Sequence, residues 1–252
     1  IALYQHTKVP FHLIAVDEST DLTPLYMVQF CKEHPNTTYI QSSVPYRCGN
    51  QMFNLALGHC KTPYLATVMN SIQAEPFWAE PLLQVMGNDP KVGVVGCKCL
   101  LPSGFIESYG IKLNGYLPCD MGRGEPGHRM ALVTETDAVQ WALALLRVEA
   151  IKGQLTEDGF HGFRGWDDID NSLTIKKGGW KVVACGASVG YHEPRATRGD
   201  NSEQAERENQ ENGVLFYKRH GFWEEFVRQH GENASVHTPP KHMDNGHGKP
   251  DG

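Results

Sequence analysis

The sequence predicts an α/β fold, a doubly wound and mainly parallel sheet with helices on both faces, and three observations carry that prediction. Short apolar runs alternate with helix-patterned segments through the first hundred residues, the order that a parallel sheet with crossover helices requires. The runs are too uniformly apolar to face water on one side. Each closes on polar, turn-forming residues, as in Val16-Asp17-Glu18-Ser19-Thr20-Asp21 and Met69-Asn70-Ser71-Ile72, and open α/β sheets bind ligands just past the carboxyl ends of their strands.

Taken in order, residues 1–7 read as the end of a helix and 11–16 as a buried strand ending at Asp17. Ser19, Thr20 or Asp21 then caps a helix over 22–33. Residues 38–41 read as a strand, and 50–58 as a helix with Met52, Leu55 and Ala56 turned inward. A strand over 64–69, a helix over 77–86 and a strand over 92–96 complete the alternation. From 101 to 136 the pattern loosens around Gly104, Gly110, Gly115, Gly122, Gly124 and Gly127, which predicts a functional loop or a small layer of hairpins. Residues 138–148 are apolar enough for a strand across the sheet, with Trp141 in the core by burial statistics. Beyond Glu193 the chain turns polar. Residues 201–220 read as an exposed helix anchored at its end by Leu215, Phe216 and Tyr217, and the segment from Glu232, with His237, His242 and His247 among Pro, Gly, Asn and Lys, as a disordered tail.

Composition narrows the function. A 252-residue chain with 40% hydrophobic residues can bury a sizeable core. A net charge of −6 without a lysine- or arginine-rich run argues against a nucleic-acid partner. No apolar stretch is long enough to span a bilayer, and no signal peptide is evident, so the expected place is the cytoplasm, at the inner face of a membrane if attached elsewhere. Seven scattered cysteines, an odd number, fit reduced thiols. Cys97-Lys98-Cys99 is too tight for a zinc motif, and strand alternation puts both thiols on one face as buried groups. Asn36-Thr37-Thr38 and Asn233-Ala234-Ser235 match the short glycosylation acceptor pattern, which does not suit that compartment. No G-x-G-x-x-G follows a strand, which disfavours a dinucleotide-dependent dehydrogenase.

The densest chemistry lies in Gly165-Trp166-Asp167-Asp168-Ile169-Asp170. Acids at a helix start serve as caps and complement the dipole, which is the purely structural account. The context adds a functional one. A glycine- and aromatic-rich segment, 159–166, precedes the acids; a Gly178-Gly179 helix stop and the strand 181–184 follow, leading to His192. Clustered carboxylates with a histidine returning on a neighbouring strand make a candidate reaction centre.

The ordered set of these motifs resembles the inverting family 2 glycosyltransferases, closest to their bacterial rhamnosyltransferase-like branch, over nearly the whole ordered chain. The set comprises the V-D-x-S-T-D strand end, the N-x-x-x-N helix, the strand ending in M-N-S, P-x-V-G-V-V-G, G-W-D-D-I-D and G-W-K-V-V leading to Tyr191-His192. The resemblance implies a GT-A fold over 1–231, with a nucleotide-binding half at 1–100 and an acceptor half at 101–231 around one continuous sheet. It further implies a nucleotide-diphosphate sugar donor and a glycan, lipid-linked or protein acceptor, in surface polysaccharide or glycoconjugate synthesis. Asp17 matches the acid that contacts the nucleotide base, and Asn50, Asn54, Asn70 and Ser71 fall on the donor side. Asp168, paired with Asp167, matches the catalytic base, while Trp141, Trp166 and Asp170 fall at the acceptor. His192 matches the histidine that holds metal or diphosphate, and Arg195 and Arg198 follow it.

Two departures stand out. Ile72 occupies the position of an acid that would ligate a divalent cation, and an alkyl chain cannot ligate Mg2+ or Mn2+, so either the diphosphate, His192 and water hold the metal, or the enzyme works without one, or it has lost activity. The first strand of the family is expected before Ile1, so the sequence reads as part of a longer chain. In the mechanism that the resemblance implies, one base takes the acceptor proton as its oxygen attacks the anomeric carbon. Repulsion from Asp167 and Asp170 would raise the proton affinity of Asp168. The other reading is a non-catalytic module that keeps the fold and binds a nucleotide or glycan.

Overall fold

The computed structural model describes residues 2–43, 46, 48–153, 155, 157, 160, 165–193, 203–232 and 234–236. In chain order its elements are α1 (Ala2–His6), β1 (Leu13–Asp17), α2 (Thr23–Glu33), β2 (Thr37–Gln41), α3 (Gly49–His59), β3 (Tyr64–Val68), β4 (Ile72–Ala74), α4 (Ala79–Asn88), β5 (Val92–Leu100), β6 (Ile106–Ser108), β7 (Ile111–Asn114), β8 (Leu117–Asp120), β9 (Val133–Glu135), β10 (Leu143–Arg147), α5 (Val148–Ile151), α6 (Asp167–Lys177), β11 (Lys181–His192), α7 (Glu203–His220) and α8 (Trp223–His230).

The main sheet has seven strands in the order β3-β10-β5-β11-β4, with β6 on β5 and β9 on β11. β5 and β11 are parallel, and β10 runs against both β3 and β5. β3, β5 and β11 therefore point the same way, and their carboxyl ends share one side of the sheet. In place of the one continuous sheet that the resemblance implied, the described strands form three, because β1 ladders only with β2 and β7 only with β8.

Strand alternation sorts the core. Val95, Cys97, Cys99, Leu143, Leu145, Val183 and Cys185 pack on one face with Leu82 and Met86 of α4. Val94, Ala144, Leu146, Val182 and Ala184 face the other way, towards Ile175 of α6 and Phe53 and Leu57 of α3. Helices cover both faces, and Cys97 and Cys99 share one as a buried pair with sulfurs 3.8 Å apart. On α3, Phe53 and Leu57 pack against the cluster around Val94, while Met52, Leu55 and Ala56, which the sequence turned inward, are partly buried on a helix that also packs on β1.

Three further expectations are corrected. Only Leu143–Arg147 of the 138–148 segment is strand, because Ala138 is bridged to Ile111 and Val139 fills the space over Gly96 before the chain turns. Helix α7 is anchored at its end by Phe216 and Tyr217 as expected, but it is not an exposed helix: a buried stripe runs back along it through Gly213, Asn212 and Ala205. Val236 is buried against Gly213, so the segment after Glu232 does contribute a packing residue; residues 237–252 lie outside the described residues. The loose region 101–136 resolves into β6 to β9, and α8 follows α7 without having been expected. Among the described residues no helix is long and apolar enough to cross a membrane.

Candidate active site

Two strands and two helices bring the predicted residues to one side of the sheet. β3 ends just before Asn70 and Ser71, and β11 ends at His192. Helix α6 passes through Gly178 and Gly179 into β11 and packs back against it, so its first turn faces the side of the sheet on which β11 finishes, and Ser172 bonds Trp141 close to the end of β3. The first turn of α3 meets it there. Asn50 and Asn171, both buried, exchange amide hydrogen bonds of 3.1 and 2.6 Å. A Cβ on Gly49 would come within 2.5 Å of Asp167 Oδ2, so glycine alone admits that carboxylate to the start of α3. Helix starts carry partial positive charge, and two of them converge here.

His192 joins three elements. Its Nδ1 lies 2.6 Å from Glu107 Oε2 on β6, and its Nε2 lies 3.1 Å from Ser71 Oγ. The ionised carboxylate only accepts, so Nδ1 carries the proton and Nε2 is left to accept from the Ser71 hydroxyl. Glu107 is almost fully enclosed, with its side chain 8% exposed against 18% for His192. Glu107 escaped the sequence reading. The available signal was an acid between Ile106 and Ser108 in a short apolar run, masked by the surrounding glycines.

Asp168 is half-buried and accepts from its neighbour's amide, Ile169 N, at 2.8 Å. Asp170 behaves differently. Its buried carboxylate accepts from Arg219 at 2.7 Å and from His220 Nε2 at 2.9 Å, and Lys177 donates to His220 Nδ1 at 3.0 Å. Placed in this network between α6 and α7, Asp170 is removed from the acceptor role, and the opposing guanidinium offsets the repulsion expected at Asp168. Trp166, 1% exposed, lies in the core with Phe216 and Tyr217, its Nε1 bonded to Asn209. Trp141, 2% exposed, bonds Ser172 through Nε1. Neither ring presents a face to solvent. Asn50 is likewise consumed by its pairing with Asn171, and Asn54 binds Leu155 O and Glu157 Oε1.

Asp17, at the end of β1, accepts from Ser19 N at 2.9 Å, from the Ser19 hydroxyl, and from Tyr39 at 2.6 Å. Partial burial pushes its carboxyl up, but these bonds together outweigh that and leave it below the usual range. Burial, then the Asp17 contact, pushes the Tyr39 phenol up to about 12.

Divalent cations need clustered oxygen or imidazole donors. Among the described residues no group of three or more His, Cys, Asp and Glu is placed to hold one. Glu107 and His192 are bonded to each other, and Ile72, which pairs with His192 across β4 and β11, offers only an alkyl chain. The described residues of this set do not by themselves assemble a site for a divalent cation. The glycine-rich segment 161–164, Arg195 and Arg198 lie outside the described residues. A cleft of about 460 Å³ lined by Asn114, Tyr116, Leu117, Phe222, Glu225 and Gln229 involves none of the residues above.

No protein-family model matches the chain, and no curated protein matches it in sequence. Solved structures do match in three dimensions. One is GalNAc-T7 with UDP, GalNAc and Mn2+, with a TM-score of 0.66 at 12% identity over 93% of this chain and 48% of that one. Another is the mannosyltransferase PcManGT from Pyrobaculum calidifontis in complex with GDP-Man and Mn2+, with a TM-score of 0.53 at 14% identity over 92% and 70%. The chain spans about half the length of GalNAc-T7. Its mixed sheet, covered by helices on both faces, is the GT-A fold of these glycosyltransferases.

Proposed function

We propose that the chain is an inverting glycosyltransferase of the family 2 kind, moving a sugar from a nucleotide-diphosphate sugar to a hydroxyl of a glycan, lipid-linked or protein acceptor in surface polysaccharide or glycoconjugate synthesis. The observation that carries this reading is that the first turn of α6, with Asp167 and Asp168, faces the same side of a GT-A sheet as the end of β11, where His192 bonds Ser71. The donor lies over the 1–100 half with its base near Asp17, and the acceptor over 101–231. Asp168 takes the acceptor proton as the oxygen attacks the anomeric carbon from the face opposite the nucleotide. The departing diphosphate meets His192 and Ser71 and the helix starts of α3 and α6, whose amides and dipoles favour negative charge. No step runs through a cation, because the described residues do not by themselves assemble a site for one.

Calorimetric titration with UDP, GDP and dTDP, each in Mn2+ and in EDTA, tests the donor site. One nucleotide is expected to bind, with equal affinity under both conditions. Silence from all three removes the donor site and the reading with it. In a transfer assay Asp168→Asn is expected to lose about 10²-fold or more in turnover while still binding nucleotide; unchanged turnover removes Asp168 from the mechanism. A second reading, a non-catalytic nucleotide- or glycan-binding module, is favoured by Ile72 and by the engagement of Asp170 with Arg219 and His220. Nucleotide binding without transfer to any acceptor would select it.

A further inference from the structure

We propose that Ser71, His192 and Glu107 form a nucleophilic triad for acyl transfer, an activity that does not depend on sugar transfer and acts on small O-acyl esters. A serine becomes nucleophilic when a base within hydrogen-bond reach takes its proton and a third group fixes that base. All three conditions are met: Ser71 Oγ is 3.1 Å from His192 Nε2, and His192 Nδ1 is 2.6 Å from Glu107 Oε2. The carboxylate keeps the proton on Nδ1 and aims the Nε2 lone pair at the hydroxyl, the tautomer that general-base catalysis needs.

The backbone holds these groups in place. Ile72 is paired with His192 across β4 and β11, and Glu193 N donates to Ser71 O at 3.0 Å, so the nucleophile stands in the turn immediately before β4, tied to the end of β11 that carries the base. Glu107 is on β6, whose partner β5 is also laddered to β11. Burial of Glu107 beside a half-buried Ser71 leaves the reacting hydroxyl as the accessible end of the chain of bonds.

Ser71 Oγ attacks the ester carbonyl carbon while its proton passes to His192 Nε2. Collapse of the tetrahedral adduct breaks the carbon–oxygen bond to the alcohol, which leaves with the proton from His192, and Ser71 is acylated. Water, deprotonated by His192, then attacks the acyl carbon, releasing the carboxylic acid and restoring the serine hydroxyl. Glu107 touches no reacting atom and is a positioning residue.

The test uses the full chain with p-nitrophenyl acetate and no nucleotide sugar. The expected result is a burst of p-nitrophenol, an acetyl group on the peptide bearing Ser71 by mass spectrometry, and labelling by a fluorophosphonate probe. Ser71→Ala and His192→Gln are expected to lose roughly 10³-fold or more in rate. Glu107→Gln should lower kcat with KM unchanged, which a merely structural role would not separate. Ser71→Cys, which keeps a nucleophile of similar size, should still be acetylated. Absence of acetyl-Ser71 in the folded wild type, or equal hydrolysis by wild type and Ser71→Ala, overturns the proposal. Acetylation without sugar transfer would count against glycosyl transfer alone, and transfer without acetylation against the triad alone.

Discussion

Asp170 is a buried acid and Asp120 a partly buried one, yet the protein treats them in opposite ways. Asp170 is fully engaged, with Arg219 and His220 on its two oxygens. Removing the charge would leave the guanidinium facing a neutral amide, so Asp170→Asn is expected to cost about 3 kcal/mol, read as a lowered urea midpoint. Asp120 has one oxygen without a partner, and a hydrogen bond with Ser108 and a 3.5 Å contact to Arg123 only partly offset its burial. Burial pushes its carboxyl up, and the nearby Glu107 adds to this. A raised folded value means the protonated form is favoured on folding, so the penalty appears as pH rises through the unfolded carboxylate range. Asp120→Asn is therefore expected to stabilise by about 1 kcal/mol at neutral pH and by less near pH 4. At this scale the sequence was an uneven guide. Asp167, Asp168 and His192 stood out by their spacing, but Asp170 looked equally functional, because nothing local reveals that Arg219 and His220, some fifty positions later, will neutralise it. Glu107 was unreadable for the converse reason, since its partner His192 lies 85 residues away.

Among the elements, β5 shows what close packing demands. A Cβ on Gly96 would sit 2.5 Å from that of Val139, and one on Gly93 would meet Trp180, Ala150 and Ile175 at 3.0 Å or less. These glycines let the connection before β10 and helix α6 lie directly on the sheet. Gly96→Ala is expected to destabilise by about 1–3 kcal/mol through overpacking, measured by urea unfolding; an unchanged midpoint would mean that Val139 moves freely. The first hundred residues were legible as elements because each strand is a contiguous apolar run followed by a patterned helix. Residues 101–136 were not. Their strands are three or four residues long and find partners by distant pairing, such as β9 on β11 and β6 on β5. Helix α8 hides for a related reason: one residue, Phe226, is buried in it, and its aromatic contacts to Tyr116 and Tyr217 are long-range.

For the whole molecule, acid should unfold the protein through a few carboxylates. Asp17 and Asp137 both sit below the usual range when folded: burial raises each, while Ser19 and Tyr39 in one case and Lys176 in the other outweigh it. The unfolded chain takes up these protons first, so their contribution is full above about pH 4 and is lost as pH falls through the folded values. Urea midpoints are expected to drop between neutral pH and about pH 3, and Lys176→Met should flatten part of that drop by removing the partner of Asp137. The α/β class was legible because alternation of strand and helix constrains the class strongly. Sheet continuity was not, since it depends on which edges meet. The anchoring of Asp170 to α7 bears on how substrates must be accommodated. Helix α6 can neither rotate about its axis nor slide along β11 without breaking the Arg219 ion pair and the buried His220 hydrogen bond at once. Asp167 and Asp168 therefore behave as a fixed post, and any adjustment between this chain and a bound molecule has to be made by the molecule that arrives.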